Sequence, residues 1–181
     1  MSKQVKWALV AVGLIVIFCG SFVYFYTRAQ KRAQDQAEAA ADARSAFGKP
    51  LPEVHLVTPA GEKVDDQLLR KGKVVLVFMT PECDACHMEM DFLKTVMNKR
   101  SDVSFYGIIT FGRKVSSPTE AEGAFPFKVF YDDGFYLAPK LGINRVPIKL
   151  YLEDGVMRRS WGGASMNDEA KNKFVQWLES V

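Results

Sequence analysis

Residues 73–80 read KVVLVFMT and run straight into PECDACHMEMDFLKTVMNKR. A near-continuous apolar, β-branched run of this length suits a strand buried on both faces. The segment behind it switches to helical spacing, with Met88, Phe92, Leu93, Val96 and Met97 on one face. A central strand feeding directly into a helix commits the chain to a sheet with helices packed on it. It also places two cysteines, Cys83 and Cys86, at the junction.

The rest of the chain continues the alternation. Residues 51–57 (LPEVHLV) read as a short strand and 58–64 (TPAGEKV) as a turn. Residues 103–110 (VSFYGIIT) read as a strand, 127–133 as a strand and turn, and 134–143 (GFYLAPKLGI) as a short helix. The polar stretch 113–125 is irregular, with one helical turn after Pro118. Residues 146–162 (VPIKLYLEDGVMRRSWG) read as two strands joined around Glu153, Asp154 and Gly155, a hairpin signal. Residues 167–181 predict a closing helix capped by Asn167, with Phe174, Val175 and Leu178 inward. The fold class expected is α/β, a mixed central sheet flanked by helices. No internal repeat is visible.

The N-terminus sets where this domain sits. Residues 7–26 (WALVAVGLIVIFCGSFVYFY) carry no charge, and twenty apolar residues in a helix span about 30 Å, the hydrocarbon thickness of a bilayer. Trp7 at one end and Tyr24 and Tyr26 at the other suit the two interfaces. A cleaved signal peptide would carry a shorter apolar run ending in a small-x-small site; this one ends in aromatics followed by Arg28, Lys31 and Arg32. A retained transmembrane helix is therefore expected, with Cys19 inside it as a small apolar residue. Lys3 and Lys6 before the span, weighed against Arg28, Lys31 and Arg32 after it, slightly favour a cytoplasmic C-terminus. Residues 28–46 are rich in Ala, Gln and charge and lack Pro and Gly, which predicts a solvated helical stalk. A coiled coil there would need apolar a and d positions, and alanine alone is a weak seam. The expected organisation is 1–27 as cytoplasmic tip and anchor, 28–46 as stalk, and 47–181 as the folded domain.

Composition narrows the chemistry. A net charge of +3 is too small to argue for nucleic acid. Three cysteines are too few for a disulfide scaffold. Cys83, Cys86, His87 and His55 make a tetrahedral zinc set on paper, but they lack the usual paired ligand spacing and there is no second CxxC. A redox dithiol and two packing cysteines remain beside it.

KVVLVFMTPECDACHMEM, followed about sixty residues later by GINRVPIKLYLEDG, resembles the thioredoxin fold. Within that fold the chain is similar to the membrane-anchored TlpA/ResA/CcmG group of bacterial thiol–disulfide oxidoreductases. FGKPLPEVHLVTPAGEKV looks like the group's N-terminal strand and turn, and FKVFYDDGFYLAPKLGI like its strand-and-helix insertion. The anchor matches as well, and the resemblance covers residues 47–181. Three positions depart from the group. Glu82 stands where Trp is usual, Asp84-Ala85 where Gly-Pro or Pro-Pro is, and Asp91 where a proline often follows the second cysteine.

The resemblance implies a Cys83–Cys86 redox-active disulfide, no further cofactor, and a cis Val146–Pro147 bond beside it. Substrate would pair as an added strand with the exposed backbone there. Disulfide exchange needs an exposed thiolate and a second thiol within reach to resolve the mixed disulfide. A helix N-terminus lowers a thiol's pKa, so Cys83 is expected to attack and Cys86, one turn deeper, to resolve. Glu82 and Asp84 flank Cys83, and negative charge beside a thiolate opposes its formation, which makes the pair more reducing. His87 either stabilises a thiolate as imidazolium or covers the helix surface. The buried acid of thioredoxin has no match, since its place falls on Val77; Glu82 is the proton carrier left in view.

The resemblance implies an anchored reductase on the outer face of a bacterial inner membrane, in the periplasm or its extracytoplasmic equivalent; it outweighs the charge count, because a resting dithiol enzyme is useful where disulfides form. Its clients would be oxidised protein thiols, such as those of cytochrome c precursors or copper-centre proteins. Electrons would come from a membrane thiol carrier of the DsbD or CcdA kind, since the chain has no nucleotide or flavin motif. Residues 7–26 would contact the lipid bilayer. Three alternatives stand beside it: a disulfide oxidase or isomerase with the opposite poise, a copper metallochaperone using Cys83, Cys86 and His87, and a redox-linked scaffold.

Overall fold

The computed structural model describes residues 20–28, 30, 47–110 and 125–181. They belong to two units. In the first, residues 20–28 are helical. Among the described residues no helix is long and apolar enough to cross a membrane. The rest of the span expected over 7–26, nearly all of the stalk expected over 28–46, and the helical turn expected after Pro118 lie outside the described residues.

The second unit is built on a six-stranded sheet: β1 (Leu56–Val57), β2 (Lys73–Met79), β3 (Val103–Ile109), β4 (Lys128–Asp132), β5 (Ile148–Glu153) and β6 (Val156–Gly162). Its spatial order is β1-β4-β3-β2-β5-β6. β2, β3 and β4 run parallel, while β1, β5 and β6 pair antiparallel with their neighbours. The helices are α1 (Gln67–Arg70), α2 (Asp84–Lys99), α3 (Leu137–Lys140) and α4 (Asp168–Glu179).

β2 lies in the middle and is covered on both faces, as its continuous apolar run requires. Val75, Val77 and Met79 pack with Leu93 and Val96 of α2 and Phe174 and Leu178 of α4. Val74, Leu76 and Phe78 pack with Leu69 of α1 and with Leu137 and Leu141. The β5–β6 loop is Asp154-Gly155, with φ of 49° and 74°. Two consecutive left-handed residues match the twist of a two-residue hairpin, and Asp-Gly is among the few pairs that adopt them readily. Asn167 caps α4 by accepting a hydrogen bond from Ala170 N at 2.8 Å. Asp132, buried at the end of β4, accepts from Tyr136 N, Leu137 N, Ala138 N and Thr110 Oγ1. It thereby satisfies the open N–H groups of α3, the helix that leads into the Val146–Pro147 loop.

Two expectations need correcting. The strand expected over 51–57 is only Leu56–Val57. Pro52 cannot donate to a ladder. The carbonyls of Leu51 and Pro52 are taken instead by the Arg70 guanidinium, and Leu51 N donates to Gly155 O. The face of α2 is also rotated: Met88 is 54% exposed, and Glu89 and Met90 are buried in its stead. Helical spacing alone favoured the methionine because it cannot show a charged residue finding a buried partner.

Candidate active site

Cys83 is the N-cap of α2 and stands at the end of β2, joined by the turn 80–82. Its sulfur accepts a hydrogen bond from Cys86 N at 3.1 Å, while its carbonyl takes Cys86 N and His87 N. The Cys86 N–H and the positive end of the helix thus act on this sulfur, which favours its anionic form once reduced. Cys83 and Cys86 are joined in a disulfide, with Cα atoms 5.1 Å apart. Cys86 is 1% exposed and belongs to the core cluster, whereas Cys83 is half-buried at its rim. An incoming sulfur can reach Cys83 and not Cys86, and this asymmetry separates an attacking thiol from a resolving one.

Glu82 and Asp84 are exposed on either side of Cys83, and Thr80 Oγ1 donates to Glu82 Oε2 at 2.6 Å. His87 Nε2 meets the Pro81 carbonyl at 2.8 Å, so that nitrogen carries the proton and is engaged by the backbone. The Val146–Pro147 peptide bond is cis. Pro147 O accepts from Gly163 N, which ties the end of β6 to this loop. Val146 packs against both core clusters. His55 stacks on Tyr136 with ring centroids 3.8 Å apart, so the paper zinc set of Cys83, Cys86, His87 and His55 is not assembled. No group of three metal-ligating side chains occurs among the described residues.

Sequence reasoning missed a buried ion pair. Glu89 and Lys149 are each 1% exposed, and Lys149 Nζ lies 2.5 Å from Glu89 Oε1. Glu89 follows Cys86 by three residues and so shares its helix face. Lys149 lies on β5 two residues after Pro147 and pairs directly with Val77 of β2. The position of thioredoxin's buried acid is therefore apolar here, and the charges enter from α2 and β5. Ser165 N and Oγ donate to the second and first oxygens of Glu89 at 2.5 and 3.0 Å, and Lys149 Nζ also donates to Gly163 O. Burial pushes the Lys149 amine below its ordinary range, while Glu89 pulls it back up. The sequence did hold one signal: Glu89 falls on the apolar face with Cys86 and Leu93, and Lys149 alternates with Tyr151 on an inward strand face. Neither residue type announces burial by itself.

No family model and no curated protein matches the sequence. Solved structures do match. A secreted disulfide oxidoreductase of Mycobacterium tuberculosis, homologous to E. coli DsbE, is 19% identical with a TM-score of 0.57, over 69% of this chain and 93% of that one. A putative thiol:disulfide interchange protein DsbE from Chlorobium tepidum is 15% identical with a TM-score of 0.63, over 74% and 96%. The thioredoxin domain of a Bacteroides vulgatus thiol–disulfide oxidoreductase is 18% identical with a TM-score of 0.57, over 74% and 98%. The domain thus has the thioredoxin-like fold.

Proposed function

We propose that the protein is a membrane-anchored thiol–disulfide oxidoreductase of the TlpA/ResA/CcmG kind, facing the outside of a bacterial inner membrane and reducing disulfides in client proteins. The observation that carries the reading is the state of Cys83: a rim sulfur at a helix N-terminus, with Cys86 N–H directed at it and the Cys86 sulfur bonded to it from below. The named activities of the similar structures point the same way. The apolar stretch 7–26 supports the anchor. An outward-facing domain is the sense in which a resting dithiol is useful, because disulfides persist there.

In this reading the Cys83 thiolate attacks one sulfur of a client disulfide, and the other client sulfur leaves as a thiolate. Cys86 loses its proton and attacks the Cys83 sulfur, releasing the second client thiolate. Two electrons and two protons end on the client, and Cys83–Cys86 is left oxidised. A membrane thiol carrier of the DsbD or CcdA kind would return the electrons. Clients are protein disulfides, including those of cytochrome c or copper-site precursors.

Trapping tests it. With Cys86→Ser the first step proceeds and resolution cannot, so a mixed disulfide between Cys83 and the client should accumulate on non-reducing gels. Cys83→Ser should abolish both turnover and the adduct. Turnover that survives Cys83→Ser would sink the assignment. An alkaline-phosphatase fusion after residue 46 should be active if the domain faces outward and inactive if it faces the cytoplasm.

A further inference from the structure

The two-cysteine chemistry makes no use of the Glu89–Lys149 pair, although the pair occupies the same corner of the domain. It joins three segments that bound the site: α2 behind the cysteines, β5 behind Pro147, and the loop after β6 through Gly163 and Ser165. A buried pair of this kind is weak evidence for stability, because desolvating both charges offsets most of their attraction. Apolar residues of similar volume would hold helix to strand about as well. Glu89 nevertheless places one of the two charges a single helical turn from Cys86, where each charge, taken alone, would act on that thiol.

The surroundings of Lys149 are otherwise nearly charge-free. From α2 it faces Glu89, and from the loop after β6 it faces the Gly163 carbonyl and the Ser165 hydroxyl. From α4 it faces the Phe174 ring, 5.5 Å from its nitrogen, and across the sheet it pairs with Trp161 and Val77. Among the described residues Glu89 is the charged group that acts on it. Take the lysine away and a buried carboxylate is left on the helix face of Cys86, opposing ionisation of its thiol. Take the carboxylate away and a buried cation is left favouring it.

We infer that Lys149 is a positioning residue for Cys86: it cancels the Glu89 charge beneath that sulfur, so that the resolving thiolate forms over a neutral pair. The inference rests on the oxidoreductase reading for its catalytic consequence, but the charge coupling can be read without turnover. The test uses the full-length chain in detergent, with Cys19→Ser and Cys83→Ser leaving Cys86 as the one thiol. Thiolate absorbance near 240 nm, followed against pH, reports its ionisation. Lys149→Met should move the midpoint up by about one pH unit, and Glu89→Gln should move it down by about as much, the scale of one nearby charge. Lys149→Arg and the double variant Glu89→Gln/Lys149→Met should both return it close to the parent value.

Midpoints that stay fixed, or that move in the same sense in both single variants, would overturn the inference and leave the pair a packing device. If a single variant does not fold, the parent chain still decides. By reciprocity, ionising Cys86 must shift the titration of the Lys149 amine, followed by its side-chain nitrogen resonance. A Lys149 titration unchanged between the Cys86 parent and its Cys86→Ser derivative would contradict the coupling. A wild-type chain that exchanges no disulfides, alongside opposed shifts in the single-thiol variants, would remove the oxidoreductase reading and keep the coupling. An active chain with no shifts would do the reverse.

Discussion

Cys83 and Cys86 are three residues apart, yet one meets solvent at the domain rim and the other is 1% exposed against the core. The asymmetry follows from helix geometry: an N-cap residue lies outside the first turn, and a residue three positions on points back under it. Charged residues elsewhere follow equally local rules. Asp102 accepts from Arg100 Nε and Nη2 at 2.7 and 2.8 Å and from Lys73 at 3.4 Å. The Arg100 guanidinium, with Lys73 adding to it, holds the Asp102 carboxyl far below the usual carboxylate range. A folded-state pKa below the unfolded one gives stability that is complete above the ordinary carboxylate pKa of about 4 and is lost as pH falls below it. Asp102 is half exposed, so the effect is screened. Thermal unfolding of the wild type should therefore lose more melting temperature between pH 5 and pH 2 than Asp102→Asn does. Equal losses in the two proteins would contradict this account of the site.

At the scale of elements, the parts legible in the sequence are those whose partners are local or uniform. KVVLVFM announced a two-sided strand because every neighbour it meets is apolar, and Asp154-Gly155 announced a hairpin because the turn needs two left-handed residues. Asn167 announced a helix start by the same kind of local chemistry. The elements that were not legible depend on distant partners. Residues 51–55 read as strand, but the Leu51 and Pro52 carbonyls found Arg70 instead. The burial of Glu89 was not legible either, because it depends on Lys149, 60 positions away, which reaches it inside the core. Gly107 is a further case. It sits in the middle of β3 beside Val77, and a Cβ there would meet Met79 and lie 2.8 Å from Phe127 and 3.2 Å from Val129. Met79 can swing aside more easily than the Phe127 ring edge. Gly107→Ala should then cost about 1–3 kcal/mol, the usual range for overpacking a filled core. Chemical denaturation should show a lower midpoint with an unchanged slope; an unchanged midpoint would mean that the sheet relaxes around the added methyl.

Across the whole chain, fold and proposed poise come from different residues. The fold rests on the sheet order, the two apolar clusters and the likeness to solved thioredoxin-like structures. The reducing poise rests on Glu82 and Asp84, two exposed carboxylates beside Cys83. These make the thiolate less favourable and so shift the couple toward disulfide, the mark of a reductant. The measurement that tests this most directly is the reduction potential of the full-length protein in detergent, equilibrated against glutathione and dithiothreitol buffers at pH 7. The account predicts about −250 mV or lower, in the range of thioredoxin-like reductants. A potential above about −150 mV would identify an oxidant and contradict the role given to the two carboxylates.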